Sequence, residues 1–370
     1  MIFVFRNIRY AIGLILILII SCSIAAQAPK FGNDFLNIGV GARAQAMGGA
    51  AAAFSNNVQA GYWNPAILSG LDVPFQVSAM HAEIFAGITK YDYLSIGKKL
   101  NEQNNAFGSI SIIRMGIDDI PNTLFLRDQS GNIDYGAIKS FSVVDYATFL
   151  SYARSIFNDD NLRLGISTKI IYRQIGSFAR DWGFGFDVGL QIERNDYYWG
   201  IMLKDATSTF NAWSFNFAPE EKAVLIATGN AIPVNSVEST LPALTLAGAR
   251  KIRTSAKSSL LVELDLAIST NGRKASLISQ RNFDLDPRLG AEFSYSNLFY
   301  LRAGVSNFQR LTDAIDQTRL DFQPTAGLGL HLGRLQLDYA LTDIGNVSVL
   351  EYSHVFTLTL DFVAGPRERK

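Results

Sequence analysis

The stretch WGFGFDVGLQI, residues 182–192, places Trp182, Phe184, Phe186, Val188, Leu190 and Ile192 at every second position, with Gly183, Gly185, Asp187, Gly189 and Gln191 between them. Successive side chains of a β-strand point to opposite faces, so this segment has one apolar face and one small or polar face. A register slip of one residue would exchange the two. An arginine is therefore expected to block assembly at Leu190, on the apolar face, and to be accommodated at Gln191.

The same period recurs outward from this stretch. Leu162, Leu164 and Ile166 alternate with Arg163, Gly165 and Ser167, and Val262, Leu264, Leu266 and Ile268 with Glu263 and Asp265. Nearer the C-terminus Ala326, Leu328, Leu330 and Leu332 oppose Gly327, Gly329, His331 and Gly333, while Leu335, Leu337, Tyr339 and Leu341 oppose Gln336 and Asp338. Phe356, Leu358, Leu360 and Phe362 end the series. About fourteen strands are predicted, near 75–85, 88–98, 105–114, 141–154, 161–174, 179–192, 196–204, 243–252, 257–268, 287–295, 297–306, 322–332, 334–342 and 350–362.

A half-buried soluble sheet would alternate in the same way, so the connections decide. Short turns fall at 193–195, 296 and 333–334. Long excursions fall at 115–140, 205–242, 269–286 and 307–321, each after an odd-numbered strand. Outer-membrane barrels sort their loops like this, with short periplasmic turns and long extracellular loops. A strand that crosses hydrocarbon must satisfy every backbone N–H and C=O in a closed ladder, and the apolar faces quoted carry no Lys or Arg. The predicted fold is all-β: an antiparallel transmembrane β-barrel of about 14 strands, with outer-membrane lipid around it. Tyr197, Tyr198 and Trp199 beside a short turn are candidates for an aromatic girdle.

Ahead of the barrel, Arg6 and Arg9 precede an apolar run at 11–20 and then Ser21, Cys22, Ser23, Ala25 and Ala26, which reads as a signal peptide over 1–26. Two cleavage readings stand: a lipoprotein box ending at Cys22, or small-residue cleavage before Gln27. Cys22 is the sole cysteine, so no disulfide forms within the chain. Lys+Arg and Asp+Glu are equal at 33 each, which leaves no basic surface for nucleic acid. The expected layout is a signal peptide at 1–26, a plug at 27–70, the barrel at 71–363 and a periplasmic tail at 364–370.

The plug segment is crowded with small residues. Gly39, Gly41, Gly48, Gly49, Ala42, Ala44, Ala46 and Ala50 to Ala53 permit close backbone packing in a confined lumen. Its motifs, Phe35-Leu36-Asn37-Ile38, Gly41-Ala42-Arg43, Met47-Gly48-Gly49-Ala50 and Tyr62-Trp63-Asn64-Pro65-Ala66, resemble the opening of the PorV/PorQ family and, more broadly, the FadL-like outer-membrane barrels. The family usually has an acidic pair before the Tyr-Trp-Asn-Pro-Ala element, where this chain has Asn56-Asn57. The resemblance implies fourteen strands with an N-terminal luminal hatch in the outer membrane. It implies a non-enzymatic component of the type IX secretion system of Bacteroidetes, with translocon subunits and the C-terminal sorting domains of secreted proteins as partners. The alternative it implies is a FadL-like channel for uptake of hydrophobic compounds such as long-chain fatty acids.

Arg43 is the lone charge in the alanine- and glycine-rich stretch from Phe35 to Gly70, so it is expected to pair with a luminal acid such as Asp187, Glu263, Asp265 or Asp338. Asn64 and Pro65 are expected to fix the turn towards the first strand, Asn64 by bonding local backbone and Pro65 by setting φ. Gly39-Val40-Gly41-Ala42-Arg43-Ala44 matches a loose dinucleotide fingerprint but lacks the βαβ unit that gives it meaning. His81, His331 and His354 lie on different strands without paired spacing, so no metal, cofactor or catalytic triad is expected. The long loops carry Ile120, Leu124, Phe125 and Leu126, and Phe210, Trp213, Phe215 and Phe217. Two readings fit these residues: a partner-binding surface at Phe125, Phe210, Trp213 and Phe215, or self-packing over the barrel mouth.

Overall fold

The structure, a computed structural model, describes residues 32–127, 131–270, 277–280, 283–312, 318–342 and 353–362. The expected signal peptide, with Cys22, and the expected tail at 364–370 lie outside the described residues.

Among the described residues, seventeen strands form one antiparallel sheet. In chain order they are β1 (Phe75–Ile84), β2 (Thr89–Asn101), β3 (Ala106–Asn122), β4 (Lys139–Ile156), β5 (Asp159–Ile175), β6 (Ala179–Arg194), β7 (Tyr197–Lys204), β8 (Thr209–Phe215), β9 (Ser236–Thr240), β10 (Ala243–Arg253), β11 (Ser258–Ser269), β12 (Ile278–Gln280), β13 (Phe283–Tyr295), β14 (Phe299–Thr312), β15 (Thr318–Leu332), β16 (Leu335–Thr342) and β17 (Ser353–Phe362). β1 pairs with both β2 and β17, β7 with β10 and β11 with β13, so fourteen staves close into a barrel. Each stave matches one predicted strand. β8, β9 and β12 are additions within segments expected to be loops.

Closure leaves no sheet edge among the staves and places the two faces as the period of two requires. Trp182 is 60% exposed on the outer surface, and Leu328, Phe356, Leu264 and Leu190 share its side. Asp187, Gln191, Glu263, Asp265 and Asp338 are buried inside. The expected girdle divides: Tyr197 and Trp199 face outward, whereas Tyr198 turns in and meets Phe54 edge-on at 4.8 Å. It has the opposite parity to Tyr197 and Trp199 on its strand, so it packs against the plug and not lipid.

The connections after even-numbered staves are all short: 102–105, 157–158, 195–196, 254–257, 296–298 and 333–334. Phe157 and Asn158, Asn195 and Asp196, and Ser296 and Asn297 all have positive φ, the backbone hand that matches strand twist in two-residue hairpins. At the other end the hairpins run on, with β3 reaching Asn122 before β4 begins at Lys139, and 205–242 carrying β8, helix α3 (Pro219–Ala227) and β9. Short turns at one end and long connections at the other are the sorting that outer-membrane barrels show.

Residues 32–74 fill the lumen as a hatch. It comprises short helices α1 (Ala42–Ala46) and α2 (Ala60–Trp63) and 3-10 turns at Asp34–Asn37 and Pro65–Gly70. Inward glycines of the wall make room for it. A Cβ on Gly165 would lie 2.3 Å from the Ala66 nitrogen, and one on Gly304 would lie 2.2 Å from the Gly48 nitrogen. The small face read from the sequence is thus the surface that receives the plug.

Candidate functional site

The hatch is tied to the wall by polar groups that its alanine-rich chain cannot supply itself. Arg43 donates from Nε to Glu292 Oε2 at 2.9 Å, from Nη2 to Glu292 Oε1 at 3.3 Å and from Nη1 to the Phe54 carbonyl at 3.3 Å. Glu292 also accepts from Arg302 Nε at 2.6 Å, and Arg302 Nη1 donates to Asp338 Oδ1 at 2.6 Å. This corrects the sequence expectation: the direct partner of Arg43 is Glu292, Asp338 joins only through Arg302, and Asp187 is taken by Lys169. Glu263 and Asp265 hold the hatch differently. Asp265 accepts from the amides of Ala51 and Ala52, both at 3.1 Å, and Glu263 from those of Ala53 and Phe54 at 2.7 and 3.2 Å. Four consecutive N–H groups that no helix satisfies thereby find acceptors.

Met47, Gly48 and Gly49 form the tight turn after α1. Gly48 has φ +66°, and a Cβ there would lie 2.8 Å from the Val305 nitrogen, so both conformation and space require glycine. Its N–H donates to Thr325 Oγ1 at 3.0 Å. Asn64 acts as read from the sequence but reaches further. Its Oδ1 accepts from the Ala66 amide at 3.1 Å, capping the turn that Pro65 opens, while Nδ2 donates to the carbonyls of Ala52 at 2.8 Å and Leu190 at 3.2 Å. Trp63 Nε1 donates to the Val40 carbonyl at 2.9 Å. Arg43, Met47, Gly48, Gly49, Trp63, Asn64 and Pro65 thus all belong to one packed hatch.

Above Asn64 the interior turns apolar. The Tyr62 ring stands edge-on to Trp63 at 5.1 Å and to Phe149 at 5.9 Å, and its hydroxyl donates to the Leu36 carbonyl. Phe35, Met80, Tyr91, Ile113 and Ile171 extend this luminal cluster.

Beside it the wall is discontinuous. β6 pairs with β7 through Val188 and Leu203, then with β8 through Phe184 and Phe210. Residues 205–208 bulge between β7 and β8, with positive φ at Asp205 and Ser208. Lys169 is buried at the bulge between Asp187 at 2.8 Å and Asp205 at 2.6 Å. Lys204, the last residue of β7, differs from the other cations of the hatch region. Its Nζ lies 4.6 Å from the Tyr62 ring centroid and 5.8 Å from that of Trp63, and among the described residues it forms no ion pair. An ammonium over two aromatic faces, with no carboxylate at ion-pair distance, is a ready partner for an anion or a polarisable ring.

The expected loop surface is corrected in part. Phe210 lies on β8 and faces outward opposite Phe184, as a residue of the wall. Trp213 and Phe215 lie on the inner side of β8, stacked at 6.0 Å, with Phe217 beyond Phe215 at 6.5 Å. Trp213 Nε1 donates to Glu238 Oε2 at 3.1 Å, and the Arg173 guanidinium sits between the rings of Trp213 at 5.2 Å and Phe35 at 5.9 Å. These aromatics therefore line the mouth above the hatch. Phe125 is partly exposed in the 123–138 connection, and no ring contact joins it to them. The three histidines have separate partners: His81 bonds Asp92, His331 faces Asp338 and His354 bonds Tyr339. No cluster of three potential metal ligands occurs among the described residues.

Sequence reasoning missed Lys204, Lys169, Glu292 and Arg302. Their signal was parity: each occupies an inward position of its strand.

No protein-family model matches this sequence, and no curated protein is similar to it by sequence. Solved structures share its fold. The Pseudomonas putida toluene transporter TodX superposes with a TM-score of 0.56 at 14% identity, over 88% of this chain and 98% of that one. The Ralstonia pickettii toluene transporter TbuX gives 0.53 at 15%, over 88% and 98%. A Pseudomonas aeruginosa FadL homologue gives 0.50 at 13%, over 87% and 98%. At these identities the likeness is one of fold: this chain shares the barrel architecture of these structures. Nothing in these comparisons supports the PorV/PorQ resemblance or a link to type IX secretion.

Proposed function

We propose that the chain is a non-enzymatic outer-membrane channel that admits hydrophobic or amphipathic small molecules. They enter past the aromatic mouth at Trp213 and Phe215 and reach the hatch at Tyr62 and Trp63. The observation that carries this reading is the juxtaposition of the 205–208 bulge, the apolar luminal cluster and the unpaired Lys204. A sealed structural barrel has no use for a lysine set over two aromatic rings beside a wall irregularity, whereas a pathway for amphiphiles does. The solved structures named as toluene transporters share this architecture and support the same class. Uptake of labelled toluene and of a labelled long-chain fatty acid tests it in cells that carry or lack the chain. Faster uptake with the chain is expected; equal rates for both compounds would overturn the reading.

A second reading, a type IX secretion component that binds sorting domains or translocon subunits, draws on the hatch motifs and on one surface feature. Helix α3 projects from the long-loop end with no buried residue, and its Ile226 is 65% exposed. Exposed apolar helices suit protein contacts. Pull-down from detergent-solubilised outer membrane would recover those partners under this reading and none under the channel reading.

A further inference from the structure

The outer wall of a barrel is ordinarily convex, yet one sector here is hollow. A groove of about 950 Å³ crosses β13 to β17 and β1 on the membrane side. Its walls include Phe293, Leu301, Leu328, Leu337, Phe356 and Leu358, all outward-facing. The sheet beneath is continuous, with β1–β17, β17–β16, β16–β15, β15–β14 and β14–β13 all paired, so the groove is separate from the luminal path. Its lining is apolar and lies on the face that meets the membrane, which suits hydrocarbon chains as the occupant.

The rim below the groove says which lipid. Tyr295 and Phe299 line its lower end at the 296–298 turn, and the Ser296 amide donates to the Lys257 carbonyl at 2.6 Å. On the other side Arg334 lies in the 333–334 turn, beyond the Leu332–Leu335 pair that is two pairs below the lining Leu337. Lys257 and Arg334 are both exposed and form no ion pair among the described residues, whereas Arg250, further round the same end, stands over the Tyr197 ring at 4.8 Å. Other cations of this rim are neutralised, with Lys99 on Glu102 at 3.4 Å, Arg194 on Asp159 and Arg163 on Glu193 at 2.9 Å. Unpaired cations at a membrane surface attract anionic lipid.

We propose that this groove binds a single anionic phospholipid of the periplasmic leaflet, with its acyl chains along Leu337, Leu328 and Leu301 and its phosphate between Lys257 and Arg334. Neither residue contacts the hatch or the luminal cluster, so binding is independent of transport. Titration of the delipidated, detergent-solubilised barrel with phosphatidylglycerol or phosphatidylcholine, read by native mass spectrometry, tests this. Phosphatidylglycerol should bind with preference and at one equivalent. Each cation contributes about fivefold near an anionic lipid, so Lys257→Gln with Arg334→Gln should weaken phosphatidylglycerol roughly twentyfold and leave phosphatidylcholine unchanged. Leu337→Trp, which fills the groove, should weaken both lipids. Equal binding of the two lipids by the unmodified chain, or undiminished phosphatidylglycerol binding by the double variant, would overturn the proposal. Both charge changes lie in exposed turns and spare the sheet.

Discussion

Arg43 of the hatch and Glu292 of the wall meet through two hydrogen bonds, at 2.9 and 3.3 Å, in a site where both side chains are nearly solvent-free. The pair joins residues 249 positions apart in sequence and makes the plug part of the barrel's own core. Glu292 is also shared with Arg302, so its two neighbours are not equivalent to it.

That asymmetry sets an order among variants. Glu292→Ala strips a counter-charge from two buried guanidiniums and should cost about 3–5 kcal/mol, because removing one member of a buried pair leaves its partner's charge uncompensated. Arg43→Ala leaves Glu292 paired with Arg302 and should cost less. Urea unfolding in detergent, followed by the heat-modifiable gel shift, measures both; equal losses would show that the shared carboxylate does not matter.

Gly304 faces the Gly48 backbone with no space for a side chain. Gly304→Leu should displace the hatch and raise conductance in planar bilayers while the barrel still forms, since its far face is untouched. Unchanged conductance in a correctly assembled variant would mean that the hatch is not seated against β14.

Leu190→Arg should block assembly, because an arginine on the lipid face costs about 2–4 kcal/mol at the midplane. Gln191→Arg should assemble but lose the bond from Gln191 Nε2 to the Ala53 carbonyl, 2.8 Å in the native chain, and bring two guanidiniums together where Gln191 now accepts from Arg163. The sequence suggested simple tolerance at Gln191. The structure adds a loosened hatch, visible as faster proteolysis within residues 32–74.

Lys204→Met keeps the aliphatic stem and removes the charge. A charge-assisted hydrogen bond contributes about 1.5–3 kcal/mol, so affinity for a carboxylate-bearing amphiphile should fall at least tenfold while binding of a neutral hydrocarbon is unaltered. Equal effects on both ligands would assign Lys204 a packing role.

The contrast between Trp182 and Asp187 shows what was legible beforehand. Face assignment depends only on local parity, and the apolar residues that end up outside all obey it, as do the glycines that receive the hatch. The partner of Arg43 depended on which strands curve round to meet it, and nothing local distinguishes Glu292 from Glu263 or Asp265. β8 was hidden for another reason: Phe210 on one face and Trp213 and Phe215 on the other erase the period that marks a strand. Lys204 is invisible without the fold, because its meaning comes from the rings of Tyr62 and Trp63 across the lumen.

The route itself can be observed with a fatty acid bearing a diazirine at mid-chain, photolysed on the folded barrel and mapped by peptide sequencing. Cross-links should concentrate on Tyr62, Trp63 and the Lys204 end of β7, and excess unlabelled fatty acid should compete them away. Cross-links confined to outward residues such as Leu264 and Leu190, indifferent to competitor, would contradict a luminal path.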